Sequence, residues 1–410
     1  MKSRIPALAL VVWTSAVAVF AQSPQNPLAM PATFQPTPYV AGEAAASEGI
    51  WNDGYWTTLF RTYVALDYVL WWMKPVCLKV PVLTAGSTAD SVPGALHQPG
   101  THLLVGASKF EFGGVSGIRP RVGTLLTADG VWAVEAEGFI TETAVSRSGF
   151  ATTAGSPRTF LAYQAPDNSE QALPFSIPGE VNGMVQASGT SRIWGTEANL
   201  VVNILGSQLG GVNLQGGVLV GLRYLDLRDH VRIRNTQALV ANPAVTATGE
   251  DNFTTHNQFY GAQIGSRIIA SGPRFSFEAY SKFAAGETLL GSYFDGTPLS
   301  GAPVQPGLIP GPIQVLPSNH LAQSTYRVTL APEVGTKVRF AVSDAATVTL
   351  GYSLLYWNRI LCPGDLMDTH VNVTQLPFRG PPTGAPVPAI QGVHTDYFLH
   401  GLSAGVEWRF

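Results

Sequence analysis

From Thr62 to Phe410 apolar and polar residues alternate, in stretches separated by turn-forming or Gly-, Pro- and Ser-rich sequence. A period of two sends successive side chains to opposite faces of an extended strand. Ten strands are predicted, at 62–74, 114–126, 131–145, 190–205, 212–227, 254–270, 274–288, 324–342, 346–359 and 395–410. The stretch 102–112 is also strand-like, so the count lies between about eight and twelve.

The connections alternate in length. Thr127–Gly130, Gly206–Gly211, Ser271–Pro273 and Ser343–Ala345 are short. The connections between them run to roughly 25–40 residues, far beyond what an ordinary domain tolerates. Short turns at one end and long loops at the other are the pattern of a membrane-spanning barrel, whose strands need only about 9–11 residues to cross. An even strand count places both termini on the periplasmic side.

Alternation also assigns the faces. In 131–145, Trp132, Val134, Ala136 and Ile140 oppose Glu135 and Glu137; in 190–205, Trp194, Ala198 and Leu200 oppose Glu197 and Asn199. In 212–227 Leu214, Val218, Leu222 and Tyr224 oppose Asn213 and Arg223, and the last strand sets Phe398, Leu402 and Trp408 against Glu407 and Arg409. A soluble sandwich would alternate too. The aromatics distinguish the two: Trp71, Trp72, Trp194, Tyr224, Tyr352, Tyr356 and Trp408 fall near strand ends, where amphipathic rings settle at headgroup depth. The fold class expected is all-β, a single antiparallel transmembrane β-barrel of about ten strands.

Composition agrees. Only 12% of residues are charged and 10% are aromatic, with 43 Gly, 30 Pro and a net charge of −3. That balance offers no footprint for nucleic acid. Lys2, Arg4 and the apolar run after them, with Val19 and Ala21 at −3 and −1, read as a signal peptide over 1–21. Residues 22–61 read as a Pro/Ala-rich periplasmic tail, and 62–410 as the barrel. Phe410 ends the chain as an aromatic on an alternating strand, which resembles the signal read by the barrel-assembly machinery. Outer-membrane lipid and that machinery are the partners expected, and the bacterial outer membrane the address.

Several segments together carry a family resemblance: Tyr68-Val-Leu-Trp-Trp, Gln98-Pro-Gly-Thr, Phe112-Gly-Gly-Val-Ser-Gly, Trp194-Gly-Thr-Glu-Ala-Asn, Gly221-Leu-Arg-Tyr-Leu-Asp-Leu, Phe259-Tyr-Gly-Ala-Gln-Ile-Gly, Pro317-Ser-Asn, Pro332-Glu-Val-Gly, Gly351-Tyr-Ser-Leu-Leu-Tyr-Trp and Pro363-Gly-Asp. The chain resembles the putative beta-barrel porin family numbered seven, from about Tyr63 to Phe410. The resemblance implies a barrel in the outer membrane; its "porin" label is itself drawn from architecture.

The inward positions carry both signs of charge. A tight second hairpin pairs Arg121 with Glu135 and Arg119 with Glu137; Glu197 lies diagonally from Arg223, and Glu278 diagonally from Arg267, with Lys282 further up. Arg327, Glu333, Lys337 and Arg339 line the eighth strand, and Glu407 and Arg409 the last. These groups are either a selectivity lining or a salt-bridged filling. Eight strands leave room only for side chains, whereas open channels appear at about 16–18, so a narrow or plugged lumen is expected. The function expected is porin-like passage of small solutes; a structural or adhesive barrel acting through its long loops is the alternative.

Chemistry at the rim is a remote third reading. Asp368 and His370, or Asp229 and His230, could orient an imidazole to activate water, yet no further acidic partner is identifiable. No nucleophile-elbow or metal-ligand spacing occurs, so neither enzyme activity nor a cofactor is expected. Cys77 and Cys362 follow the first and ninth strands at the outer end. With one strand between, they lie about 10 Å apart at the usual neighbour spacing. Loops can close that gap, so a disulfide is expected.

Overall fold

The computed structural model describes residues 62–300, 313–376 and 381–410, with backbone alone at 297–300. The expected signal peptide and periplasmic tail (1–61) lie outside the described residues.

Among the described residues fifteen strands form two sheets. In chain order they are β1 (Thr62–Met73), β2 (Val76–Ala85), β3 (His102–Phe110), β4 (Val115–Leu125), β5 (Trp132–Thr141), β6 (Ala144–Ala151), β7 (Thr159–Gln164) and β8 (Glu170–Ser176). Then come β9 (Val181–Leu209), β10 (Val212–Leu239), β11 (Thr246–Ser271), β12 (Phe275–Ser300), β13 (Ala322–Ala341), β14 (Ala346–Ile360) and β15 (Thr395–Arg409). Ten of them close an antiparallel ring in the order β1-β4-β5-β9-β10-β11-β12-β13-β14-β15, with β15 returning to β1. Closure leaves no edge along the stretch that must satisfy its backbone without water. The ring matches the ten strands expected.

The short turns sit at one end. Gly210 and Gly211 both have positive φ, 57° and 84°, the geometry of a two-residue type I′ turn that matches the twist of the flanking strands. At the other end the structure exceeds the expectation. β9 to β12 run to 26–29 residues, more than twice a membrane crossing. Their loop-end halves stand beyond the belt, with β6 continuing β5 along the side of β9.

Four strands, β3-β2-β7-β8, make the second sheet. Three of them were not anticipated, and 102–112 proves to be β3 of this sheet rather than a barrel strand. The reason is local. β2 carries Pro81 and three register shifts against β3, and its buried residues Val80 to Leu83 form a continuous apolar run, so no period of two is visible. This sheet, a helical turn at Pro363–Leu366 and residues 313–316 pack with Val231, Ile233, Phe253, Leu290 and Phe294 into one large apolar core. The expected long loops are thus a folded cap.

Candidate functional site

The barrel interior is built in layers, and each follows from which residues the alternation turns inward. Nearest the turns is a small apolar cluster, Leu125, Ala133, Val201 and Leu219. Above it lies a layer of charge. Seven cations (Arg119, Arg121, Arg223, Arg267, Lys282, Lys337, Arg339) meet seven carboxylates (Asp67, Glu135, Glu137, Glu197, Glu278, Glu333, Glu407). Within these fourteen groups the signs balance, and Arg409 adds an eighth cation at the turn end.

Glu333 on β13 is the hub. Its Oε1 accepts from Arg119 Nη2 at 2.7 Å and from the Tyr280 hydroxyl at 2.9 Å, while its Oε2 accepts from Arg223 Nη2 at 2.6 Å. Arg223 also donates its Nε to Glu197 at 3.0 Å, and Glu197 in turn receives Lys282. Arg119 is shared with Glu137. On the other wall Lys337 donates to Asp67 at 2.8 Å, with Thr349 on the second oxygen at 2.7 Å. Arg339 pairs with Glu278, and Arg121 reaches Glu407 at 3.5 Å while its guanidinium lies 5.6 Å from the Tyr63 ring centre. Arg409 holds Glu407 from the turn end at 3.1 Å.

Two register details correct the expected pairings. Arg121 stands opposite Glu137, and Gly123 opposite Glu135, because the connection after β4 is longer than a tight hairpin. A slip of two residues keeps every side chain on its face, so Arg119 still reaches Glu137 while Glu135 turns to Arg267 across the interior. Glu197 lies directly opposite Arg223 rather than diagonally, because a bulge at Gly216/Gly217 resets the β9–β10 register. Arg327 is a third correction. It keeps the inward parity of Ala331 and Glu333 but lies above the charge layer, where β13 has lost β14 as a neighbour, and it is exposed. Asp67 was overlooked; it is the lone carboxylate on the apolar-looking first strand, and its parity with Tyr63 and Val69 was the available signal.

The charge layer leaves a small residual cavity of about 30 Å³ among its side chains. Above it the interior turns dry: Val69, Trp71, Ile193, Leu225, Phe259, Trp357 and Leu399 form a buried cluster. Beyond that is the core of the cap.

On the outside, Leu66, Val122, Val134, Leu200, Leu222, Ile264, Phe283, Val338, Leu350 and Leu402 are all exposed, an apolar belt around the ring. An aromatic row bounds it at the loop end, with Trp194 and Tyr224, then Tyr224 and Tyr260, at centroid distances of 5.0 Å. Trp72 stacks on His400, which also accepts or donates at 3.0 Å to the Tyr352 hydroxyl, and Tyr356 is half-buried on the same face. Trp408 and Phe410 are exposed at the turn end. Trp71 does not belong to this girdle. Adjacent strand residues face opposite ways, so with Trp72 outside Trp71 is inside, 3% exposed and edge-on to Phe139 at 5.1 Å.

The structure places the two His–Asp pairs at the rim differently. His370 has both ring nitrogens engaged, Nδ1 with Asp368 at 2.8 Å and Nε2 with Asn168 at 2.9 Å. Asp229 is buried inside, while His230 faces outward to Asn252 at 3.2 Å. Among the described residues no cluster of His, Cys, Asp or Glu has the makings of a metal site. Cys77 and Cys362 are neighbours but free thiols, so the expected bridge is absent. Cys77 shares the face of β2 with Lys79, away from Val76 and Leu78, whereas Cys362 lies in the cap core against the Cys77 backbone N–H. Burial pushes the Cys362 thiol up to about 12.

Asp251 ties the cap to the barrel wall. Fully buried on β11, it accepts the backbone N–H groups of Gln314 and Val315 at 3.0 Å each. Burial still pushes its carboxyl well above the usual range. The folded state therefore keeps this proton to higher pH than the unfolded chain. The stability it contributes is complete below the unfolded carboxylate pKa and is lost as pH rises through the raised folded value. Asp251→Asn mimics the protonated form and is expected to flatten that slope, as read from urea unfolding of the cap between about pH 4 and pH 8. An unchanged slope would assign the pH dependence elsewhere.

The family model for Putative beta barrel porin-7 matches residues 63–410, the whole described barrel and cap. The chain belongs to this family. As a member of the beta barrel porin-7 family it carries an outer-membrane type of β-barrel, and the interior just described is what that barrel encloses here. Among solved structures, the outer membrane protease OmpT from Escherichia coli is similar at 9% identity, with a TM-score of 0.44, over 86% of this chain and 99% of that one. The Pseudomonas putida toluene transporter TodX matches at 8% identity and a TM-score of 0.17, over 85% and 90% of the two chains. A FadL homologue from Pseudomonas aeruginosa matches at 8% and 0.20, over 85% and 90%. No curated protein matches the chain.

Proposed function

We propose that the protein is a closed barrel of the bacterial outer membrane whose working part is the folded cap at its outer end. One observation carries this reading: the lumen is blocked twice, by the neutralised charge layer around Glu333 and by the continuous apolar core above it. A conducting pore needs an unbroken wet path, and a space of about 30 Å³ among paired charges does not supply one. The apolar belt and aromatic rows fit a bilayer. In this placement the cap faces outward and the protein acts structurally or through contacts made by that cap. Passage of small solutes is the second reading; it requires the cap and the charge layer both to move.

Planar-bilayer recording on the purified protein tests the choice. The expected trace is flat, with no stable open steps at neutral pH. Large, long-lived steps from the unmodified protein would return the passage reading to first place.

A further inference from the structure

The outer face of the barrel is apolar around the ring, but on β9, β10 and β6 it turns basic directly above the aromatic row. Arg192 and Arg228 stand opposite each other in the β9–β10 register, one outward pair beyond Trp194 and Asp226. Further along, Ser188 lies between Arg232 on β10 and Arg147 on β6, with Arg234 beyond. All five guanidinium-bearing residues are exposed.

Their charge is poorly answered within the protein. Arg228 reaches Asp226 only at 3.5 Å, and that carboxylate is already engaged by His256 at 2.7 Å and the Tyr224 hydroxyl at 3.0 Å. Arg232 meets Glu250 at 3.1 Å. Arg234 stands opposite the same Glu250 in the β10–β11 register, so one carboxylate serves two guanidinium groups. Among the described residues Arg147 and Arg192 make no ion pair within 4 Å. Like charges placed directly opposite on a sheet repel, and with Asp226 on one side alone the Arg192–Arg228 pair favours an anion from outside between them.

The geometry gives that anion two heights. The lower pair sits at the edge of the belt, where a lipid headgroup begins. Four residues separate Arg228 from Arg232, about 13 Å along the strand. The upper set opens on a cavity of about 580 Å³ lined by Arg147, Arg232, Arg234, Ser188, Gln186 and Met184. Below the lower pair, exposed Trp194, Ile140 and Leu200 continue the surface into the apolar belt.

We infer that this face binds a phosphorylated glycolipid of the outer leaflet. Its acyl chains lie on the belt beneath Trp194, one phosphate is held between Arg192 and Arg228, and a second anionic group enters the Arg147–Arg232–Arg234 cavity. Arginine suits both positions because its planar fork matches phosphate oxygens in pairs. A phospholipid, with its single phosphate, fills the lower position alone. The inference rests on the outer-membrane placement proposed above but not on whether the lumen conducts.

Native mass spectrometry of the full chain in detergent tests it, with three probes: a lipopolysaccharide carrying phosphorylated core sugars, phosphatidylglycerol and inorganic phosphate. Two double variants, R192Q/R228Q and R147Q/R234Q, change exposed side chains only, and circular dichroism verifies that each retains the barrel. The expected result is that each pair lowers lipopolysaccharide affinity about tenfold. Phosphatidylglycerol should bind more weakly and respond to R192Q/R228Q alone, and inorganic phosphate should not compete. Lipopolysaccharide binding that is unchanged in both variants overturns the proposal. So does phosphatidylglycerol binding as tightly as lipopolysaccharide, or full competition by inorganic phosphate. A conducting protein with intact glycolipid binding would sink the closed-barrel reading and leave this one standing.

Discussion

Glu333→Ala is expected to destabilise the barrel by about 3–5 kcal/mol, because removing one partner from a buried ion network leaves the others charged and unpaired. Two guanidinium groups, Arg119 and Arg223, and the Tyr280 hydroxyl converge on this one carboxylate. Arg119 retains Glu137 and Arg223 retains Glu197, yet the layer then carries one cation too many in a space with almost no water. Glu333→Gln keeps the shape and one acceptor while losing the charge, so its cost should fall between those of alanine and wild type. Arg327→Ala, on the same strand and parity but exposed, is the control and should stay within about 0.5 kcal/mol. Thermal unfolding in detergent, followed by circular dichroism, ranks the three. Equal melting temperatures for Glu333→Ala and Arg327→Ala would mean that the charge layer is well hydrated and bears little of the stability.

The ten ring strands were legible because lipid outside and charge inside impose strict alternation. Trp132, Val134 and Glu135, Glu137 sort to opposite faces by position alone. Most of the charge layer followed from the same parity, with Asp67 overlooked and Arg327 placed in it wrongly. That part survived a two-residue error in the register of β4 against β5, since such a slip changes partners but not faces. Partner choice was less accessible. Arg267 with Glu135 and Arg119 with Glu333 join strands distant in sequence across the interior, and no local pattern encodes a contact of that kind. The limits of parity appear at Trp71-Trp72, where two candidate girdle residues are adjacent and only one can face lipid.

The cap was the largest omission, and its physics explains why. Its strands are short, interrupted by Pro81 and by register shifts, and buried on more than one side, so they show neither period two nor the flanking turns of a hairpin. Gly, Pro and Ser density reads as loop whether or not the loop folds. What the sequence did contain was a concentration of apolar residues at inward positions far above the belt: Val231, Ile233, Phe253, Leu290 and Phe294. A barrel with a wet outer vestibule would place polar groups there. Apolar residues facing inward beyond the membrane require something apolar to cover them.

The strongest test of the two seals as separate structures lies between them, at Trp357. This side chain is fully buried on β14, packs edge-on against Phe259 at 6.0 Å, and donates its indole N–H to Thr288 Oγ1 at 3.2 Å. Trp357→Ala removes the more deeply buried of the dry layer's two tryptophans and is expected to cost about 3–5 kcal/mol through lost burial and the cavity left behind. Trp357→Phe keeps most of the volume and loses one hydrogen bond, so its cost should be near 1 kcal/mol plus a small packing term. The consequence for passage separates stability from sealing. Charge layer and apolar core act in series, so opening one leaves the other closed. Trp357→Ala should therefore melt much earlier than wild type and still give a flat trace in planar bilayers. Stable open steps in that single variant would show that the charge layer around Glu333 does not seal by itself, and that closure of the lumen depends on the apolar core above it.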